Sequence, residues 1–141
     1  METKEYEIKE EKVDQDLEEW IKEGFSCHAL EAVGHEGDMR GVTFVARDGD
    51  KLLGAVVAKT FWGGLHIKNL IIAKEYRVLG IGKALMERVF EKGKELGCRF
   101  AFVETMSFQA LDFYKKIGFV EEFSRSGYDK GCTFHYLKKE F

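Results

Sequence analysis

The stretch Arg77-Val78-Leu79-Gly80-Ile81-Gly82-Lys83 constrains this chain more than any other. An apolar run, Leu65 to Ile72, precedes it, and Leu85, Met86, Val89, Gly93 and Leu96 then recur at helical spacing. A loop between a strand and a helix leaves the first helical N–H groups without partners and sets the positive end of the helix dipole beside them. Gly80 and Gly82 carry no Cβ, so an anion could approach their backbone, and Arg77 and Lys83 supply cations at the two ends. A diphosphate suits such a cradle, although the spacing alone fits an ordinary tight turn equally well. Two familiar phosphate loops fit poorly. Leu85 stands where a dinucleotide fingerprint carries its third glycine, even though Glu104 lies where a ribose-binding acid is expected. No Ser or Thr follows Lys83, as a nucleoside-triphosphate loop requires.

The pattern around this loop predicts an α/β chain with a mixed sheet. Tyr6 to Glu10 alternates as a short edge strand, and Val13, Leu17, Trp20, Ile21 and Phe25 mark an amphipathic helix closing near Gly24. Ser26 to Arg40 reads as loop or a short second helix. Val42 to Arg47, the turn Asp48-Gly49-Asp50, the run Leu52 to Trp62, the turn Gly63-Gly64 and Leu65 to Ile72 form an antiparallel meander. Its middle run is apolar on both faces, which suggests helices on each side. After the glycine loop come a helix capped by Gly97, a strand from Phe100 to Thr105 and a helix from Phe108 to Ile117 stopped by Gly118. A closing hairpin, Phe119 to Ser126 and Cys132 to Lys139, ends the chain. The order is βα, βββ, then αβαββ. No linker or repeat divides it, so residues 1–141 are read as one domain.

Composition narrows the function. Apolar residues at 45% and charged residues at 33% describe a soluble globular chain. No apolar run approaches the roughly 20 residues that cross a bilayer, and no secretory signal heads the sequence, so no membrane partner and a cytoplasmic location are expected. A net charge of -3, with basic and acidic residues intermixed, argues against nucleic acid. Cys27, Cys98 and Cys132 are too dispersed for a zinc site or a disulfide framework, so no metal is expected and each reads as a packing residue.

Two segments together carry a resemblance. Arg77-Val78-Leu79-Gly80-Ile81-Gly82-Lys83-Ala84 resembles motif A of the GNAT superfamily, and Ser107-Phe108-Gln109-Ala110-Leu111-Asp112-Phe113-Tyr114-Lys115-Lys116-Ile117-Gly118-Phe119 resembles its motif B. The likeness is strongest to a bacterial branch with Ser-Phe-Gln-Ala ahead of the tyrosine. The proline common before the motif A arginine is replaced by Ala73-Lys74-Glu75-Tyr76, and Ser107 stands where many relatives carry a cofactor-contacting asparagine. The resemblance implies a mixed sheet of about six or seven strands flanked by about four helices, with acetyl-CoA wedged between two splayed parallel strands. Leu70, Ile71 and Ile72 would pair with the pantetheine as an added strand does. Arg77, Val78, Leu79, Gly80, Ile81, Gly82, Lys83 and Ala84 would surround the pyrophosphate, with Ser107 and Tyr114 as further cofactor contacts.

The implied reaction is direct attack of a primary amine, of a small molecule or a protein, on the thioester. A lysine-like amine has a pKa near 10.4, so presenting it neutral at pH 7 costs about 4.6 kcal/mol. Tyr114 is the motif's donor toward the departing thiolate. Full proton transfer from a phenol to a thiolate is uphill by about 2 kcal/mol, so hydrogen bonding to developing charge suits it better. His66 and Glu104 are the candidate bases, with His135, Glu31 and a water chain as further options, and His66 reads equally well as a strand-end residue facing solvent. Trp62, at a turn, is the aromatic residue placed for substrate contact. Glu121 and Glu122 read as a solvated strand end, with substrate contact as the second reading. A non-catalytic acyl-CoA-binding module and a nucleotide-dependent oxidoreductase remain as alternatives, and a homodimer through the terminal strands is left open.

Overall fold

The computed structural model describes residues 5–141 and divides the chain into two compact units, Met1–Gly37 and Asp38–Phe141. The first unit holds one helix, α1 (Gln15–Val33). Asp14 starts it by accepting the Leu17 N–H at 2.9 Å, and Gly34 ends it, its N–H bonded to the Leu30 carbonyl. The helix therefore runs through Gly24, where the sequence suggested a stop. A glycine inside a helix costs only about 1 kcal/mol relative to alanine, and nineteen residues of helix absorb that. Ser26 to Val33, read as loop or a separate helix, continues the same one. Tyr6 to Glu10 forms no strand. No residue of α1 is buried.

The second unit is a six-stranded mixed sheet in the order β1-β2-β3-β4-β6-β5. β1 (Gly41–Asp48), β2 (Lys51–Phe61) and β3 (Gly64–Ile72) make the antiparallel meander. A 3-10 turn at Lys74–Tyr76 leads to α2 (Ile81–Glu95), then β4 (Phe100–Met106), α3 (Leu111–Lys116), β5 (Val120–Arg125) and β6 (Phe134–Glu140). The closing hairpin enters with β6 inserted between β4 and β5. Among the described residues there are thus six strands and three α-helices. The count falls short of four helices because the expected second helix is part of α1. β2 is not buried on both faces: Gly54, Val56, Ala58 and Thr60 are buried, whereas Val57 among them and Phe61 after them are exposed.

One face of the sheet carries the core. Val56, Ala58, Leu65, Ile67, Ala101, Val103 and Leu137 meet Leu85, Met86, Val89 and Phe90 of α2, the last four at helical spacing. Gly93, buried on the same helix face, lets α2 come close to β3. A Cβ placed there would stand 2.7 Å from Leu65 Cδ2. Since Leu65 is fully buried, this contact fixes the height of α2 over the sheet.

Leu65→Ala is expected to destabilise the protein by about 2–5 kcal/mol, read as a shift in the urea midpoint. Gly93→Ala clashes in the parent but fills the vacated space in the double variant. The double-mutant cycle should therefore show a favourable coupling of roughly 0.5–3 kcal/mol, and strict additivity would remove the packing role given to Gly93.

Candidate functional site

β3 and β4 run parallel and pair over only four positions, Gly64 with Phe100 through Ile67 with Val103. Beyond them β3 stays on β2, with Leu70, Ile71 and Ile72 opposite Val56, Ala55 and Gly54, while β4 stays on β6. The divergence has a local cause. In the β2–β3 register Val57 faces Asn69 and Ala58 faces Ile67, so Lys68 is an extra residue, a bulge directly after the last parallel pair. A bulge bends its strand and increases its twist. The result is a fork, and past it the inner edge of β3 has no strand partner.

The space beyond the fork is a cleft of about 470 Å³. Leu70, Ile71 and Ile72 form one wall; Phe108, Gln109, Ala110 and Phe113 form the other; Arg77 and Gly82 close its end. The far wall is held by polar contacts to β4. Gln109 Oε1 accepts the Met106 N–H at 2.8 Å, and the buried Thr105 hydroxyl accepts the Ala110 N–H at 3.3 Å. Ser107 does not line the cleft; its hydroxyl accepts the Thr133 N–H at 3.0 Å.

At the closed end, Gly80 precedes α2 with φ 81, a left-handed conformation that glycine adopts without steric cost. No side chain caps the helix, and among the described residues the N–H groups of Ile81, Gly82 and Lys83 have no protein acceptor. Val78 also has a positive φ, 61, rare for a β-branched residue. Strain of this kind persists where the surroundings enforce it, often around ligands. Val78 and Leu79 are exposed, as are Gly80, Lys83 and Ala84, and Arg77 Nε reaches the Ile72 carbonyl at 3.4 Å. Bare amides and a guanidinium at one mouth have the chemistry that suits an anion. A Cβ on Gly82 would lie 3.4 Å from the Phe113 ring, ordinary contact distance, so the second glycine keeps this mouth open rather than preventing a clash.

Glu104 is the first β4 residue past the paired segment, and its Oε2 lies 2.6 Å from His66 Nε2. His66 stacks on Phe102, ring centroids 4.5 Å apart and nearly parallel. Both members of the pair are partly exposed. Two of the residues considered as bases are therefore a single hydrogen-bonded unit at the fork. His135 is engaged elsewhere, with Glu121, whose carboxyl this hydrogen bond holds below its usual range.

Tyr114 of α3 is buried, edge-on to Phe113 and Phe119 at 5.4 and 5.5 Å. Burial pushes its pKa up to about 12. Phe113, rather than Tyr114, comes to the cleft wall. The Tyr114 hydroxyl has no protein hydrogen-bond partner among the described residues. No side-chain oxygen or nitrogen there is both sealed and unpaired, so its residual exposure reaches the oxygen.

A second cavity, of about 420 Å³, opens on the sheet face away from α2. Phe102 and Glu104 of β4 share it with Phe61, Trp62, Phe100 and Tyr136. Phe100 and Tyr136 carried no signal in the sequence, because β4 meets β6 only through the β4-β6-β5 order. Glu122, read as part of a solvated strand end, also lines this cavity. The three cysteines are free; only Cys98 is buried, and Cys27 is exposed rather than packed. No cluster of potential metal ligands occurs among the described residues, and no helix among them is long and apolar enough to cross a membrane.

The chain is similar to known proteins. An acetyltransferase of Agrobacterium fabrum is 28% identical over 91% of this chain and 93% of its own length. The crystal structure of a Bacillus cereus acetyltransferase superposes with a TM-score of 0.83 at 28% identity, covering 95% of this chain and 98% of that one. An acetyltransferase structure from Bacillus anthracis, solved in complex with acetyl coenzyme A, matches 72% of this chain and 62% of its own, with 26% identity and a TM-score of 0.65. The family model described as Acetyltransferase (GNAT) family matches residues 3–119. With a mixed sheet forked between parallel strands and an uncapped helix at the fork's far end, the chain belongs to the GNAT family of acetyltransferases.

Proposed function

We propose that this protein transfers an acetyl group from acetyl-CoA to a primary amine at the fork between β3 and β4. The observation that carries the reading is the continuity of the fork: the unpaired edge of β3 leads from the His66–Glu104 pair to the bare amides of α2. The match to the family from residue 3 to 119 supports reading both units as one acetyltransferase domain.

Acetyl-CoA, when bound, supplies an acyl group activated as a thioester. The chain's own groups do the rest. The backbone of Leu70 to Ile72 offers the cofactor's amide arm a strand edge. The N–H groups of Ile81, Gly82 and Lys83, with Arg77, hold its phosphates, the partial charge of the helix end adding to the cation. Glu104 and His66 take the proton from an acceptor amine, directly or through water, and share it across their hydrogen bond. Tyr114 keeps its proton throughout. With its pKa near 12, proton transfer to a thiolate of ordinary pKa would be uphill by about 5 kcal/mol. Its role is donation of a hydrogen bond to negative charge developing on sulfur.

Gly82→Glu is expected to abolish acetyl-CoA binding in calorimetry, since a carboxylate would enter the anion site. Gly82→Ala, whose methyl meets the Phe113 ring at contact distance, should bind within a few-fold of the parent. Equal binding by both variants would displace the phosphates from this loop.

Tyr114→Phe should lower kcat by roughly 10- to 1,000-fold with little change in acetyl-CoA affinity, the usual cost of losing one such donor. Unchanged turnover would remove Tyr114 from the chemistry.

Glu104→Gln should lower kcat by roughly 100-fold or more and leave cofactor affinity intact. Its deficit should shrink as pH rises and more of the acceptor amine is already neutral. A deficit independent of pH would assign Glu104 to positioning instead.

A further inference from the structure

The cavity on the sheet face away from α2 has a chemistry that the transfer reaction does not by itself demand. We infer that it selects an acceptor whose amine is carried as a cation on an apolar, flat skeleton, in preference to anionic or strongly polar amines. The inference rests on the acetyltransferase reading, because it is Glu104 that joins the cavity to the fork.

The walls are aromatic and the charges acidic. β4 sends Phe100 and Phe102 to this face, alternating with the buried Ala101 and Val103. In the antiparallel register Glu104 stands opposite Tyr136 and Phe102 opposite Lys138, so β6 adds its side chains to the same face. Trp62 enters from the β2–β3 turn with φ 48, a conformation that non-glycine residues seldom adopt. It stays 45% exposed, a large apolar group at the cavity rim. Two carboxylates line the space, Glu104 and Glu122, against one ammonium, Lys138.

That lysine is informative. Its Nζ is bonded to Glu140 at 2.8 Å, which neutralises it locally and leaves the lining acidic. The same ammonium lies 4.6 Å from the Phe100 ring centroid, so one aromatic wall already hosts a cation. Rings present their negative faces to cations, and nearby carboxylates add to the attraction without requiring a fixed geometry. At about 420 Å³ the cavity has the size of a small-molecule site. Among the lining residues a bound anion would meet Glu104 and Glu122 against only the Glu140-paired Lys138, while the Arg125 guanidinium is bonded to the Tyr136 hydroxyl at 3.1 Å.

The test uses a cation that cannot be acetylated. The chain has two tryptophans, Trp20 and Trp62, so the full-length Trp20→Phe variant reports on Trp62 alone. Benzyltrimethylammonium should change Trp62 fluorescence saturably, benzyl alcohol should bind roughly tenfold more weakly, and phenylacetate should give no saturable change. Phe100→Leu and Glu122→Gln should each weaken the cation by roughly three- to tenfold, while acetyl-CoA affinity by calorimetry stays at the parent value and shows that the fold is kept. In the turnover assay 2-phenylethylamine should be acetylated and aspartate should not. Equal affinity for benzyl alcohol and the cation, or an unresponsive Trp62 in protein that binds acetyl-CoA, would overturn the inference alone. Failure to bind acetyl-CoA would instead overturn the enzymatic reading, and the fluorescence titration would still decide whether the cavity holds cations.

Discussion

The parting of β3 from β4 is the constraint on which the rest depends. Two parallel strands that share a ladder for four residues and then separate leave backbone groups along two facing edges. Buried backbone groups without partners are costly, and native structures rarely tolerate them. Here each strand retains its outer neighbour, β2 for β3 and β6 for β4, so the sheet stays intact on both sides of the opening. Only the inner edges are left over, and they face a cleft that, on the proposed reading, would take an extended, amide-bearing ligand as a missing strand. The Lys68 bulge places the divergence at a defined residue.

The helix that follows the fork converts that opening into a site with polarity. α2 is pressed onto the core face by Leu85, Met86, Val89 and Phe90, and the Leu65–Gly93 contact sets how near it comes. Its axis and its N-terminus are thereby tied to the strand whose far end forms the cleft wall. Gly80 and the strained Val78 then bring the chain into the helix without a capping side chain. A packing decision in the hydrophobic core thus determines where the unpaired amides point. On the proposed reading the anion site and the strand-like slot both belong to this β3–α2 unit, which would suit a ligand that is anionic at one end and extended along its length.

Much of this was legible in the sequence, for different reasons in different places. The meander, the glycine loop and the last α/β units follow from alternation, helical period and turn residues, all of them local. The β3–β4 fork was available only through the resemblance carried by the two motifs, since nothing in Leu65 to Ile72 announces that Lys68 is extra. Gly24 misled because a glycine is a poor stop unless a left-handed cap follows, and the cap lies at Gly34. The alternation in Tyr6 to Glu10 was too short to specify a partner strand, and none was found. The candidate bases His66 and Glu104, weighed separately along the chain, turned out to be one pair because parallel pairing brings their strands side by side. Phe100 and Tyr136 carry no signal in the sequence, and Glu122 reads as a solvated strand end, since their common cavity depends on the β4-β6-β5 order, which no local pattern encodes.

The sheet also separates two kinds of proton chemistry. Along β4, Val103 and Thr105 turn into the core while Glu104 turns to the other face. Tyr114 belongs to the core cluster with Val103, where desolvation keeps its phenol protonated. The Glu104–His66 pair is on the partly solvated side, beside the acidic and aromatic cavity. A buried phenol is restricted to donating a hydrogen bond, whereas a carboxylate joined to an imidazole near water can accept a proton and pass it on. On the proposed reading, an acceptor amine would give up its proton on the wet face and negative charge would gather on sulfur near the dry one. The backbone of a single strand, one residue thick, is enough to keep those two environments apart.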